Sequence, residues 1–116
     1  MDINFFKKTR ILDGGMGQEL LARGMKPQGT LWSANALLQE KYHKLLFDTH
    51  KDFVKAGAEV IITTSFTTRK IRLRDNNVED KFEYLNQKAG EIAKKVKEIY
   101  PEVLIAGGLP PQSLTY

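Results

Sequence analysis

The 116-residue chain contains no cysteine. That excludes a disulfide framework and any thiolate metal site within these residues. No apolar run approaches the roughly 18 to 20 residues of a membrane-spanning helix. The first residues, Met1-Asp2-Ile3-Asn4-Phe5-Phe6-Lys7-Lys8, are too short and mixed for a secretory signal, so the expected compartment is the cytoplasm. Net charge is +4, yet Lys and Arg are interleaved with acids rather than clustered with aromatics, which argues against a nucleic-acid groove. There is no internal repeat or low-complexity tract, and no Gly-Lys-Ser/Thr phosphate loop follows a strand. Histidine is scarce. His43 and His50 are seven apart on one helix side, with no third ligand beside them, a poor basis for a metal site.

What remains is ordinary globular composition, 41% hydrophobic and 28% charged, organised around one stretch: Arg10-Ile11-Leu12-Asp13-Gly14-Gly15-Met16-Gly17-Gln18-Glu19-Leu20-Leu21. A short apolar run ends on a carboxylate, glycines follow, and a helical pattern begins. This is the grammar of a buried strand, a tight turn and a helix. Asp13 falls where a parallel strand delivers side chains to a site, and equally where a turn uses an Asp to accept backbone hydrogen bonds. Gly15-x-Gly17 is a poor dinucleotide fingerprint, because Leu20 stands where a third small residue is needed.

The chain then alternates. Residues 17–23 read as a helix ended by Gly24 at C′. Ser33 is a candidate N-cap for a short helix. Tyr42, Leu45, Leu46, Thr49 and Phe53 mark one face of a helix closed by Lys55-Ala56-Gly57. Glu59 to Phe66 is β-branched and nearly continuous, as in a strand buried on both faces of a parallel sheet. Thr67 to Asn77 reads as a polar loop with a helical turn, and its Arg69-Lys70-Ile71-Arg72-Leu73-Arg74 run as a solvated face or as a patch that steers an anionic substrate. Phe82, Leu85, Ala89, Ile92, Ala93, Val96 and Ile99 carry a long amphipathic helix. Pro101 lies beyond its end. Val103 to Gly108 reads as a third buried strand, and Leu109 to Tyr116 as loop. Strands alternating with helices mean parallel βα units. The three strand ends carry Asp13, Thr63-Thr64-Ser65-Phe66 and Gly107-Gly108, where βα barrels place their sites. Trp32, the only tryptophan, reads as partly buried packing or as a pocket wall.

Ile11-Leu12-Asp13-Gly14-Gly15-Met16-Gly17-x-Glu19-Leu20-Leu21-x-Arg23-Gly24 resembles the opening of the homocysteine S-methyltransferase family. The resemblance continues in order through Leu31-Trp32-Ser33-Ala34, Ala56-Gly57-Ala58-x-Val60-Ile61, Thr63-x-Ser65-Phe66 and Ala106-Gly107-Gly108-Leu109-Pro110-Pro111. It implies a (β/α)8 barrel and methyl transfer to the sulfur of homocysteine, giving methionine. It also implies a zinc ion held by three cysteines, which binds the sulfur as thiolate. Carried onto this sequence, Asp13 and Gly14 match the corner that contacts the amino acid end of homocysteine. Trp32, Thr64, Ser65 and Phe66 match pocket-lining positions. Thr64 and Thr67 stand where some relatives carry Asn or an aromatic, so the methyl donor, a second small-molecule partner, stays open. Residues 1–116 correspond to the N-terminal part of a homocysteine-binding barrel domain, its first three βα units, with no second domain and no zinc cysteines. Such a piece is expected to be inactive alone and to self-associate through an open sheet edge. Two other readings are an unrelated βα-barrel enzyme using Asp13 as acid or base, and a non-catalytic α/β binding module.

Overall fold

The computed structural model describes residues 2–113. A 3-10 turn, Ile3–Lys7, leads in, capped by the Asp2 carboxylate accepting the Asn4 N–H. Five α-helices follow: α1 (Met16–Ala22), α2 (Asn35–Leu38), α3 (His43–Lys55), α4 (Lys70–Asp75) and α5 (Phe82–Ile99). The two strands β1 (Val60–Ile62) and β2 (Leu104–Ala106) pair in parallel, with Val60 opposite Leu104 and Ile62 opposite Ala106. The crossover between them runs through α4 and α5, as parallel pairing demands.

Two apolar clusters hold these pieces together. One joins the helices: Leu20, Leu31, Leu37, Leu46, Leu73 and Leu85 are all fully buried or nearly so. Each such leucine contributes roughly 1.5–3 kcal/mol relative to its exposed state. The other lies between the sheet and the helices. Ile61, Ala93, Val96 and Val103 pack there with Phe47 and Phe53 at its margin, so α3 and α5 cover one sheet face. The glycines expected to close α1 and α3 do so, with φ of +104° at Gly24 and +119° at Gly57. The amphipathic faces of α3 and α5 bury the residues their periodicity selects, among them Leu46, Thr49, Leu85, Ile92 and Val96.

Several expectations are corrected. The first strand shrinks to a single parallel bridge, Leu12 to Val60. The second strand is three residues long and buried on both faces only at its start: Val60 and Ile61, on opposite faces, are 4% and 0% exposed, while Ile62 at its end is 37% exposed, and β2, expected as a buried strand, is half-buried along its length. The reason is that the helices lie on the Ile61 side, and Leu12 is exposed like Ile62. Ser33 does not cap α2. It sits inside a 3-10 turn, Trp32–Ala34, that runs straight into the helix, so turn carbonyls receive the N–H groups a cap would serve. The basic run is a solvated face only in part: Lys70 and Arg74 are exposed, while Arg69 and Arg72 are 2% and 3% exposed. Arg69 lies 5.2 Å over the Phe66 ring and donates to the Phe66 carbonyl. Leu109 to Ser113 is loop, and Leu114 to Tyr116 lie outside the described residues.

Candidate functional site

The carboxyl ends of the strands open onto a cleft of about 490 Å³. Asp13, Gly14, Trp32, Thr64 and Phe66 all line it, so five of the six residues singled out from the sequence share one cavity. The sixth, Ser65, is not among the lining residues. Its hydroxyl donates to the Gly108 carbonyl at 2.9 Å and meets the Thr63 hydroxyl at 2.9 Å.

The strand ends are built by one repeated device. In the pairing of residues 11–13 with β1, the Val60 N–H donates to Ile11 O and the Asp13 N–H to Val60 O. A parallel ladder would next send the Ile62 N–H to the Asp13 carbonyl. It goes instead to the Asp13 side chain, Oδ2, at 3.0 Å. Between β1 and β2 the Thr63 N–H donates to Ala106 O, and the next donor, Gly108 N–H, goes to the Thr63 hydroxyl at 3.0 Å. In both cases a side-chain oxygen replaces its own residue's carbonyl as acceptor. The rung is satisfied while the backbone is released to turn, and this is why the first strand ends at Asp13.

Asp13 is therefore held from behind. One oxygen, Oδ2, is fixed by Ile62. Burial lifts its pKa above the ordinary 3.8, outweighing the Ile62 and Asp13 N–H groups that favour the anion. A cation bound beside it offsets that desolvation. Gly14 is required for a close approach, though by the protein rather than a ligand: a Cβ there would lie 2.9 Å from Cε1 of Phe53 on α3. Thr64 lines the cleft, but its hydroxyl points back to His50 Nε2 at 3.3 Å. His50 is fully buried, and desolvation pulls its pKa down to about 4. It is neutral at pH 7. With Nε2–H donating to Thr64, the atom left without a partner is the Nδ1 lone pair, cheaper to bury than an N–H.

Trp32 forms the opposite wall. It is 44% exposed and adopts φ +52°, the left-handed region that a bulky residue rarely enters. Gln18 and Ile62 also line the cleft and carry no sequence signal of their own as site residues, whereas Gly17 and Ser33 line it from within the family-like motifs and Thr67 from a position that the resemblance ties to the choice of methyl donor. Arg23, conspicuous in the first motif, bridges Glu19 and Asp52 at the surface.

The sequence profile described as homocysteine S-methyltransferase matches residues 10–116. The chain belongs to the homocysteine S-methyltransferase family. It is 32% identical over 109 residues to the homocysteine S-methyltransferase of Escherichia coli K12, covering 87% of this chain and 34% of that protein. It is 30% identical over 94 residues to a selenocysteine methyltransferase of Astragalus bisulcatus, covering 80% of this chain and 27% of that one. The crystal structure of the homocysteine methyltransferase MmuM of Escherichia coli, in its metallated form, superposes with a TM-score of 0.78 at 32% identity. The match covers 94% of this chain and 41% of that one. The chain thus spans about a quarter to a third of the length of the curated homocysteine S-methyltransferase relatives it matches. Within the family fold it supplies a mixed helix and parallel-sheet unit, and no helix among its described residues is long and apolar enough to cross a membrane.

Proposed function

We propose that this chain forms the opening βα units of a (β/α)8 barrel, the N-terminal part of a homocysteine-binding domain, and that its cleft takes the amino acid end of homocysteine. Family membership supports the barrel and the reaction, methyl transfer to the homocysteine sulfur to give methionine in the cytoplasm. The observation that carries the site assignment is Asp13: a carboxylate at a strand's end, with one oxygen fixed by Ile62 and burial raising its pKa. An ammonium placed there gains a charge-assisted hydrogen bond and favours the ionised carboxylate, opposing the effect of burial. Gly14, Trp32, Thr64 and Phe66 close around the same cavity, with Ser65 bracing the strand ends behind them. The apolar walls, Trp32 and Phe66, suit the methylene and sulfur end of the substrate and a small methyl donor.

The family's zinc ion would hold the sulfur as thiolate. The residues present do not fit it. The chain has no cysteine, and among the described residues no three His, Cys, Asp or Glu side chains come together to hold a metal. Calorimetric titration with L-homocysteine, against wild type and Asp13→Asn, tests the assignment. Binding lost or weakened at least tenfold in Asp13→Asn supports it. Equal binding by the two overturns it.

A further inference from the structure

Thr67 is buried, 2% exposed, and lies 36 positions from Leu31 in the chain. Its hydroxyl does two things at once. It donates to the Leu31 carbonyl at 2.7 Å and accepts the Ala34 N–H at 3.1 Å. These two groups flank Trp32 and Ser33. The peptide segment between them carries the left-handed Trp32, φ +52°. A tryptophan in that conformation costs on the order of 1–3 kcal/mol and persists only where its surroundings over-determine it. In this turn the local hydrogen bond, Ala34 N–H to Leu31 O at 3.1 Å, joins the same two groups that Thr67 grips. The hydroxyl is thus a third party on the turn, supplied from the segment after β1.

The Trp32 side chain has a consequential position. It lines the 490 Å³ cleft on one side and a smaller cavity of about 190 Å³ on the other, where Leu21, Met25 and Pro27 are its neighbours. Trp32 and Gly17 are the residues that line both cavities. Where the turn sits decides where that wall stands.

We propose that Thr67 is a positioning residue for the cleft: its hydroxyl latches the 31–34 turn and holds Trp32 in its left-handed conformation as a wall of both cavities. The proposal builds on the reading of the cleft as a ligand site only for its effect on affinity. Its effect on Trp32 is independent of any ligand.

Because Trp32 is the only tryptophan of the 116 residues, fluorescence excited selectively at tryptophan, beyond tyrosine absorption, reports on this wall alone. The experiment compares wild type, Thr67→Val and Thr67→Ser in emission maximum and acrylamide quenching, with circular dichroism as the control for folding. Thr67→Val keeps the shape and removes the hydroxyl; Thr67→Ser keeps the hydroxyl. The expected result is a red-shifted, more readily quenched Trp32 in folded Thr67→Val, and wild-type behaviour in Thr67→Ser. L-Homocysteine affinity should fall about tenfold in the valine variant, equivalent to about 1.4 kcal/mol of binding free energy. Folded Thr67→Val with unchanged emission and quenching overturns the latch. If Thr67→Val does not fold, Trp32→Gly is added, since glycine accepts φ +52° without strain. Recovery of folding in the double variant supports the latch, and failure to recover overturns it. If wild type does not bind L-homocysteine, the ligand assignment falls while the fluorescence result still decides the role of Thr67.

Discussion

The Asp13 carboxylate accepts the Ile62 backbone N–H at 3.0 Å, in the place where a continuing ladder would use the Asp13 carbonyl. One residue thereby ends a strand, frees the chain to turn at Gly14, and presents an anchored carboxylate to the cleft. The two duties can be separated. Asp13→Asn retains an oxygen for Ile62 and loses the charge. Asp13→Ala loses both. Urea denaturation should show Asp13→Ala destabilised by about 1–3 kcal/mol, the cost of an unsatisfied N–H, with Asp13→Asn close to wild type. Equal destabilisation of both would mean that the charge, not the hydrogen bond, supports the fold.

The raised pKa of Asp13 gives the site a pH dependence whose sign is fixed. In the free protein the protonated form is favoured over its unfolded reference, so ionising Asp13 costs stability as pH rises through its folded pKa. A bound ammonium needs the anion. Affinity for L-homocysteine should therefore fall as pH drops through the Asp13 pKa, which lies above 3.8, and binding there should release a proton. Calorimetry in two buffers of different ionisation enthalpy measures that proton. Proton uptake on binding would contradict the ammonium–Asp13 pairing.

His50 governs acid stability. Its folded pKa, about 4, lies below its unfolded value of 6.5, so the unfolded chain takes up a proton first as pH falls. Stability present above pH 6.5 is lost progressively down to about pH 4, by about 3 kcal/mol from this group. His50→Leu should flatten that limb of the stability curve, read as the urea midpoint against pH. An unchanged slope between pH 6.5 and 4 would mean that His50 is not the group responsible.

Gly14 faces Phe53, not open space. Gly14→Ala places a methyl 2.9 Å from the ring and should cost about 1–3 kcal/mol, in the manner of an overpacked core. Phe53→Leu, which withdraws the ring edge, should recover part of that loss in the double variant. Thermal melts of the four proteins give the coupling. Strict additivity would show that the two residues do not compete for the same volume.

Much of this was legible in the sequence for physical reasons. The faces of α3 and α5 follow from apolar spacing, because helix periodicity and burial are the same geometric fact. Gly24 and Gly57 end helices because their conformations exclude other residues. The strand-end cluster of Asp13, Thr64 and Phe66 follows from strands that run parallel. What stayed hidden depends on partners distant in sequence. Asp13 and Ile62 are 49 apart, and nothing local says that a side chain will take a backbone rung. Thr67 looked like the start of a polar loop, yet it is buried beneath Leu31 and Ala34. Arg69 and Arg72 looked like surface because charge usually is, and their burial depends on how α4 packs. Ser33 has a cap's chemistry, but the turn ahead of α2 removed the need for one.

The most direct test of the account is isotope-edited NMR of the 116-residue chain during titration with L-homocysteine, repeated with Asp13→Asn. The account predicts saturable shifts at the Gly14, Ile62 and Thr64 amides and the Trp32 indole, weakened at least tenfold by the substitution. No saturable shift at these positions, or the same titration in both proteins, would contradict it.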